Sequence, residues 1–480
     1  MTRGTGAALA ALAAVTALRL AVAALAPVSP DEAYYWVWSH ALAPGYLDAP
    51  PMVALWIRAG SALFGPTALG IRLLGPLSGA AGSVLLARAA EDLFPGRHAG
   101  IAAAALLNAT LLFGVGGIII TPDTPLLFFW TATLWAMARL IRTGNPRWWL
   151  AAGLLAGLAM DSKYTAALLV AGIGLWALAI PAGRRWLSRP ESWIGLALAF
   201  LVVLPVILWN ADHHWASFLK QGGRVGAWQP ARAVQFQGEL LGGQIGLATP
   251  LVFAICVAGT VAAVREAWRT RDPAWTLLAM LIVLPAAVFI QHALGGRVQG
   301  NWPAILYPAA AIAGAALPGW RRWLRPAVAL GAALTLVVYV QAVAAPFPLP
   351  ARMDPTLLRL GGWPGLARAV AAQARKTGAT FVAADEYGLA AELALYLPNL
   401  PVVGVAPRWA LFRLPPPHLA GQTGLMLRTT RRRGGPDPAP WRSVARTGTL
   451  ARTRRGLTAE TYKTYRVLAR AHAPTTRMLP

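Results

Sequence analysis

The chain has 480 residues, of which 57% are hydrophobic and only 13% charged, with a mean hydropathy of +0.52. A water-soluble domain carries roughly 25% charged residues, so this composition excludes an ordinary globular chain and requires lipid as the solvent for most of it. The net charge of +25 is read first as cytoplasmic loops obeying the positive-inside rule and as attraction to anionic headgroups, ahead of nucleic-acid binding. The lone cysteine, Cys256, lies in an apolar stretch, so no internal disulfide is possible and an inert packing role is expected.

Apolar runs predict about eleven spans: 7–27, 66–87, 99–120, 124–141, 148–161, 164–182, 193–210, 246–264, 274–292, 303–319 and 326–344. The first is too long, and lacks the small-residue cleavage site, of a signal peptide, so it reads as a retained helix. The 148–161 run is short and reads as a bent or partial span. One alternate set of loops holds Arg3, Arg88, Arg97, Arg139, Arg142, Arg147, Arg184, Arg185, Arg189, Arg265, Arg269, Arg271, Arg321, Arg322 and Arg325. The opposite set is poorer in cations and holds Asp31, Glu32, Asp48, Asp123, Lys163, Asp212, Lys220, Arg224 and Arg297. The positive-inside rule puts the N-terminus and the first set in the cytoplasm. Every candidate for chemistry then faces the periplasm of a Gram-negative inner membrane.

After residue 345 the character changes. Pro346, Pro348, Pro350 and Pro355 mark a linker. Strands are expected over 380–387, 400–405, 424–428 and 462–468, with a helix over 388–396. This small α/β domain, 346–480, carries 20 Lys and Arg against 6 Asp and Glu. Arg431, Arg432 and Arg433 read most simply as a solvated loop, with anionic lipid or lipopolysaccharide as the sharper option. The expected fold is therefore mainly α: a polytopic membrane helix bundle over 1–345, with outer loops 28–65 and 211–245, followed by a periplasmic α/β domain.

Asp31 and Glu32 follow the first span at membrane depth, where carboxylates are costly. Desolvation there raises a carboxylate's pKa and suits a general base. Pro30-Asp31-Glu32 is equally a helix start with Asp31 as cap, and both readings hold together. Asp48, before the stiff Pro50-Pro51, could hold a substrate hydroxyl or a metal, or simply sit in a turn. Asp123, in Thr121-Pro122-Asp123, is either the cap of the next helix or a second active-site acid. Lys163, followed by Tyr164, is a candidate point-charge contact for a lipid phosphate, against pairing with Asp161 or snorkelling. Arg297, near Asn301-Trp302-Pro303, is a candidate bidentate phosphate contact. The polar 211–245 loop reads as a non-periodic lid, and His213-His214 as interfacial residues rather than a metal pair. No P-loop, dinucleotide fingerprint or Cys/His array is present, which argues against a nucleotide donor.

These motifs resemble the integral-membrane GT-C glycosyltransferases, in the bacterial branch related to protein O-mannosyltransferases. That branch includes lipid A aminoarabinose transferases and rhizobial lipopolysaccharide galacturonosyltransferases. The resemblance spans about 28–310: Asp31-Glu32 with Tyr34-Tyr35, Leu47-Asp48-Ala49-Pro50-Pro51, Thr121-Pro122-Asp123, the run from Gly157 to Tyr164, and Asn301-Trp302-Pro303. It implies a polyprenyl-phosphate sugar donor, inversion at the anomeric carbon, and a cell-envelope acceptor: lipopolysaccharide, glycolipid or protein. It further implies Asp31 as base, with Glu32 beside it, Asp123 as a second active-site acid, and Lys163 and Arg297 on the phosphate. Asp48, Tyr164 and Asn301 complete the expected substrate contacts. Asp48-Ala49 stands where aminoarabinose transferases usually have Glu-Lys, and Asn301 where they have lysine, which leaves sugar and any divalent metal open. A transporter or flippase of lipid-linked sugars is the alternative, and would require ionisable residues near the midplane.

Overall fold

A computed structural model describes residues 3–223, 228–471 and 476–480. Arg224 lies outside the described residues. Among the described residues, seven helices are long and apolar enough to cross a membrane: 4–25, 68–93, 123–143, 190–212, 250–270, 273–292 and 318–343. Four shorter apolar helices accompany them: Met52–Phe64, Trp148–Met160, Tyr164–Ala179 and Trp302–Ala315. The chain divides into two compact units, the first made of 1–20, 48–53 and 74–337, the second of 21–47, 54–73 and 338–480.

In the first unit, Trp130, Leu134, Ile173, Trp176, Leu277, Leu281, Ile305 and Ile312 belong to one continuous buried core. Helix ends follow local chemistry. Pro190 and Pro273 occupy first-turn positions, where a missing N–H costs nothing. Asp272 caps its helix by accepting from Ala274 and Trp275 amides at 2.9 and 3.0 Å. Small residues set the closest crossings: a Cβ on Gly153 would lie 1.9 Å from the Gly195 carbonyl oxygen, and one on Gly259 2.3 Å from the Gly314 nitrogen.

Three features of the helical part differ from the sequence expectation. The 99–120 span is broken into Gly100–Asn108 and Leu111–Gly116. Thr110 caps the second piece through the Phe113 amide at 3.0 Å, and Asn108 leaves the first to bond the buried Arg19 and Ser83, both at 2.8 Å. A helix, Met52–Phe64, stands inside the expected outer loop 28–65. The 211–245 stretch is not a non-periodic loop either: it holds helices Ala216–Gly222 and Pro230–Ala248, the latter with Phe236, Gln244 and Ala248 buried along one face.

In the second unit a six-stranded sheet runs β4-β5-β3-β1-β2-β6. The strands are β1 (Phe381–Ala384), β2 (Val402–Gly404), β3 (Thr423–Thr429), β4 (Trp441–Arg454), β5 (Leu457–Ala469) and β6 (Arg477–Met478). β1 pairs in parallel with β2 and β3, Val382 standing opposite Val402 and Leu425. The β1–β2 crossover is the helix Tyr387–Tyr396, as a parallel pair requires. Every residue of β1 is buried, which fits a strand covered on both faces. The helix Trp363–Thr377 and the strand β4 carry no expectation from sequence, whereas Pro30–His40 is the helix whose start Pro30-Asp31-Glu32 marks. In β4 the arginines mask a strand pattern whose side chains are mostly exposed. Arg431 and Arg432 are exposed but not free: they pair with Glu460 at 2.7 Å and Asp385 at 3.3 Å.

Glu392, on the Tyr387–Tyr396 helix, is fully buried and neither carboxylate oxygen has a hydrogen-bond partner. Burial pushes its carboxyl well above its usual 4.5, against the opposing pull of the Arg452 guanidinium. Its contribution to stability is fully present below 4.5 and is lost as pH climbs toward the raised folded value. The melting temperature is therefore expected to fall as pH rises above 4.5, and Glu392→Gln to flatten that fall, read by thermal unfolding of the detergent-solubilised protein.

Candidate active site

Within the first unit, three expected site residues meet directly. Asp123 opens the helix Asp123–Thr143, but it caps nothing: the cap position is Pro122, without a side-chain hydrogen bond. Its carboxylate instead accepts from Lys163 Nζ at 2.7 Å and from Asn301 Nδ2 at 2.6 Å. Lys163 pairs with Asp123, then, and not with Asp161. Its side chain is 19% exposed and that of Asp123 12%, so the pair is shielded without being sealed. Lys163 Nζ also lies 6.0 Å from the Trp302 ring centroid.

Asp48 accepts from Lys220 Nζ, and its backbone oxygen accepts from Gln221 Nε2 at 2.7 Å. Both partners stand on the short helix Ala216–Gly222. Tyr164 holds that helix: its hydroxyl is 2.8 Å from Ser217 Oγ and accepts from Asn210 at 3.4 Å, with its ring on Phe218. The Met52 amide, just beyond the diproline, donates to the Asp161 carbonyl at 3.2 Å. Lys220 is visible in sequence as a loop cation, but its partnership with Asp48, 172 positions away, is not. Asn210, Ser217 and Gln221 carry no local signal at all.

Arg297 is not among these contacts. Its guanidinium is 58% exposed and grips both oxygens of Glu239, at 2.6 and 2.9 Å. The hydrogen bond from Arg297 holds the Glu239 carboxyl below its usual range. A small groove in the unit is lined by Gly75, Gly79, Gly82, Gly116, Gly117, Phe113 and Phe128, and by Thr124 next in sequence to Asp123. His213 stacks on Trp209 and bonds its carbonyl at 2.8 Å. Among the described residues, no three His, Cys, Asp or Glu side chains gather as a metal site requires.

In the second unit, the Pro30–His40 helix carries Asp31 and Glu32. Its cap is Ser29, not Asp31. The Ser29 side chain accepts from the Glu32 amide, and the Glu32 side chain accepts from the Ser29 amide at 2.9 Å, a reciprocal capping box. Glu32 is fully buried and meets Arg72 through two bonds, Nε to Oε1 at 2.6 Å and Nη2 to Oε2 at 2.7 Å. Arg72 also donates to the carbonyls of Ala23, Ala26 and Pro27, at 3.2, 2.7 and 2.7 Å. Glu32 is thus committed to structure, with no face open to a substrate. Asp31, relieved of capping, is 40% exposed. It accepts from the Tyr387 hydroxyl at 2.9 Å, and Arg359 Nη1 lies 3.8 Å from its other oxygen.

Residues 48–209 match the family described as dolichyl-phosphate-mannose-protein mannosyltransferase. The chain is 28% identical over 371 residues to the lipid A galacturonosyltransferase RgtD of Rhizobium johnstonii, covering 76% of each protein. Its fold is similar to crystal structures of ArnT from Cupriavidus metallidurans. The apo form gives a TM-score of 0.62 at 16% identity, and the form bound to undecaprenyl phosphate 0.60 at 15%. Both comparisons cover 97% of this chain and 98% of the other.

Proposed function

We propose, for a chain that is a multi-pass membrane glycosyltransferase of the GT-C fold, that it moves a sugar from a polyprenyl-phosphate carrier to a lipid A-type acceptor. The reaction takes place on the periplasmic side of the inner membrane. Galacturonic acid is the first sugar to try, because the curated relative is named for its transfer. The observation that carries this reading is the Asp123–Lys163–Asn301 cluster: a partly shielded ammonium beside an aromatic ring. An ammonium in that setting suits the phosphate of a carrier whose hydrocarbon tail lies among helices.

The step is a direct displacement. The acceptor oxygen forms a bond to the anomeric carbon, the bond from that carbon to the carrier phosphate breaks, and the configuration inverts. The hydroxyl proton passes to Asp31, and the carrier departs as a phosphate monoester. That leaving group needs charge stabilisation more than protonation. In the first unit we assign this to Lys163 and Lys220, each now neutralised by a carboxylate for which the phosphate competes. Lys220 takes the place expected of Arg297, which is spent on Glu239.

Lys163→Ala is expected to raise the KM for the lipid donor about tenfold, the order of one hydrogen bond to a charged group. The KM for acceptor should stay where it was. Steady-state transfer in proteoliposomes, varying each substrate in turn, measures the split, and an unchanged donor KM removes Lys163 from the phosphate.

A further inference from the structure

Resting on Asp31 as the base, we infer that Tyr387, from the C-terminal α/β part of the second unit, is a positioning residue that fixes the Asp31 carboxylate for proton transfer. The two residues are 356 positions apart and are joined by one hydrogen bond of 2.9 Å, Tyr387 hydroxyl to Asp31 Oδ1.

Three observations make this contact a built one. The Tyr387 ring has two close neighbours: Tyr34 lies 4.6 Å away between centroids, and the Arg408 guanidinium sits 4.2 Å over the ring. Arg408 is itself fixed by a bond of 3.3 Å to the Tyr34 hydroxyl. The helix that starts at Tyr387 is pinned by Glu386, which accepts from the Gly388 and Leu389 amides at 3.2 and 2.7 Å. Finally, Gly388 abuts the residue before Asp31: a Cβ there would come 2.6 Å from the Pro30 Cβ. Only a residue without a side chain lets the helix start reach Pro30, and that approach brings the phenol to the carboxylate.

The direction of the bond follows from the groups. Burial, with the Asp31 carboxylate alongside, pushes the Tyr387 phenol up, so it keeps its proton and donates. A carboxylate with one oxygen held leaves the other, and its remaining lone pairs, aimed in a fixed direction. A base restrained in this way loses less orientational freedom in the transition state. Tyr387 touches no reacting atom; it acts through Asp31.

The test uses the full chain in proteoliposomes with undecaprenyl-phosphate galacturonic acid and lipid A. Tyr387→Phe keeps the ring against Tyr34 and Arg408 and removes only the hydroxyl. It is expected to lower kcat about tenfold or more, with both KM values and the melting temperature unchanged. Gly388→Ala, which displaces the helix start from Pro30, should lower kcat in the same way. In an Asp31→Asn background Tyr387→Phe should cost nothing further, since the group it positions is already gone. If Asp31→Asn is inactive while Tyr387→Phe turns over like the wild type, the positioning role is overturned and the base stands. If Asp31→Asn transfers normally, the base itself is wrong, and the inference falls with it. A drop in melting temperature that accounts for the loss of Tyr387→Phe activity would reduce the residue to a structural contact, and so overturn it too.

Discussion

Asp31→Asn is expected to reduce transfer about a thousandfold, in the range that general acid–base catalysis supplies, while the protein inserts and melts as before. The side chain is 40% exposed and does not cap its helix; Ser29 and Glu32 do that. Replacing one carboxylate oxygen by an amide nitrogen therefore removes basicity without removing a fold-determining contact. Binding should survive as well. Donor and acceptor KM values are expected to stay within about twofold, so that the loss falls on kcat. Transfer of labelled sugar by the purified variant, beside its expression and thermal unfolding, reads all three quantities. Activity near the wild-type level would remove Asp31 from the mechanism.

The neighbouring carboxylate is expected to behave in the opposite way. Glu32→Gln or Arg72→Met each leaves one buried charge without its partner, at a cost of about 3–5 kcal/mol. Both side chains are fully buried and joined by two short bonds. Arg72→Met additionally strands the carbonyls of Ala23, Ala26 and Pro27. The double replacement should cost clearly less than the sum of the single ones, because no lone charge remains. Thermal unfolding in detergent, with the yield of membrane-inserted protein, measures this. Single variants as stable as the wild type would show the pair to be dispensable. Two adjacent acids thus separate by experiment: one loses rate, the other loses the protein.

Where the sequence was sufficient, one physical signal dominated. Long apolar runs such as 193–210 and 274–292 sit inside helices of the structure, because lipid leaves the backbone no alternative to internal hydrogen bonding. The same signal overran the break at Ala109, which is made by Arg19, Asn108 and Ser83 meeting from three places in the chain. It also passes over Met52–Phe64, a short apolar helix inside the expected outer loop. Isolated acids in apolar surroundings were easy to single out, and Asp123, Lys163 and Asn301 do come together. The Ser29-Pro-Asp-Glu32 spacing was a readable capping box, and it would have released Asp31 from that duty. Tyr387 was unreadable: nothing near it in sequence speaks of a carboxylate 356 positions earlier.

Arg72 fastens the end of the first helix, through three carbonyls, to the start of the next, through Glu32. The clasp closes over a separation of 40 to 49 positions. Synthesis runs from the N-terminus, so the opening segment emerges well before its clasp and stays undocked until Arg72 has been delivered. An order of biogenesis follows from one guanidinium: the segment bearing Asp31 lacks this clasp while the nascent chain is shorter than that.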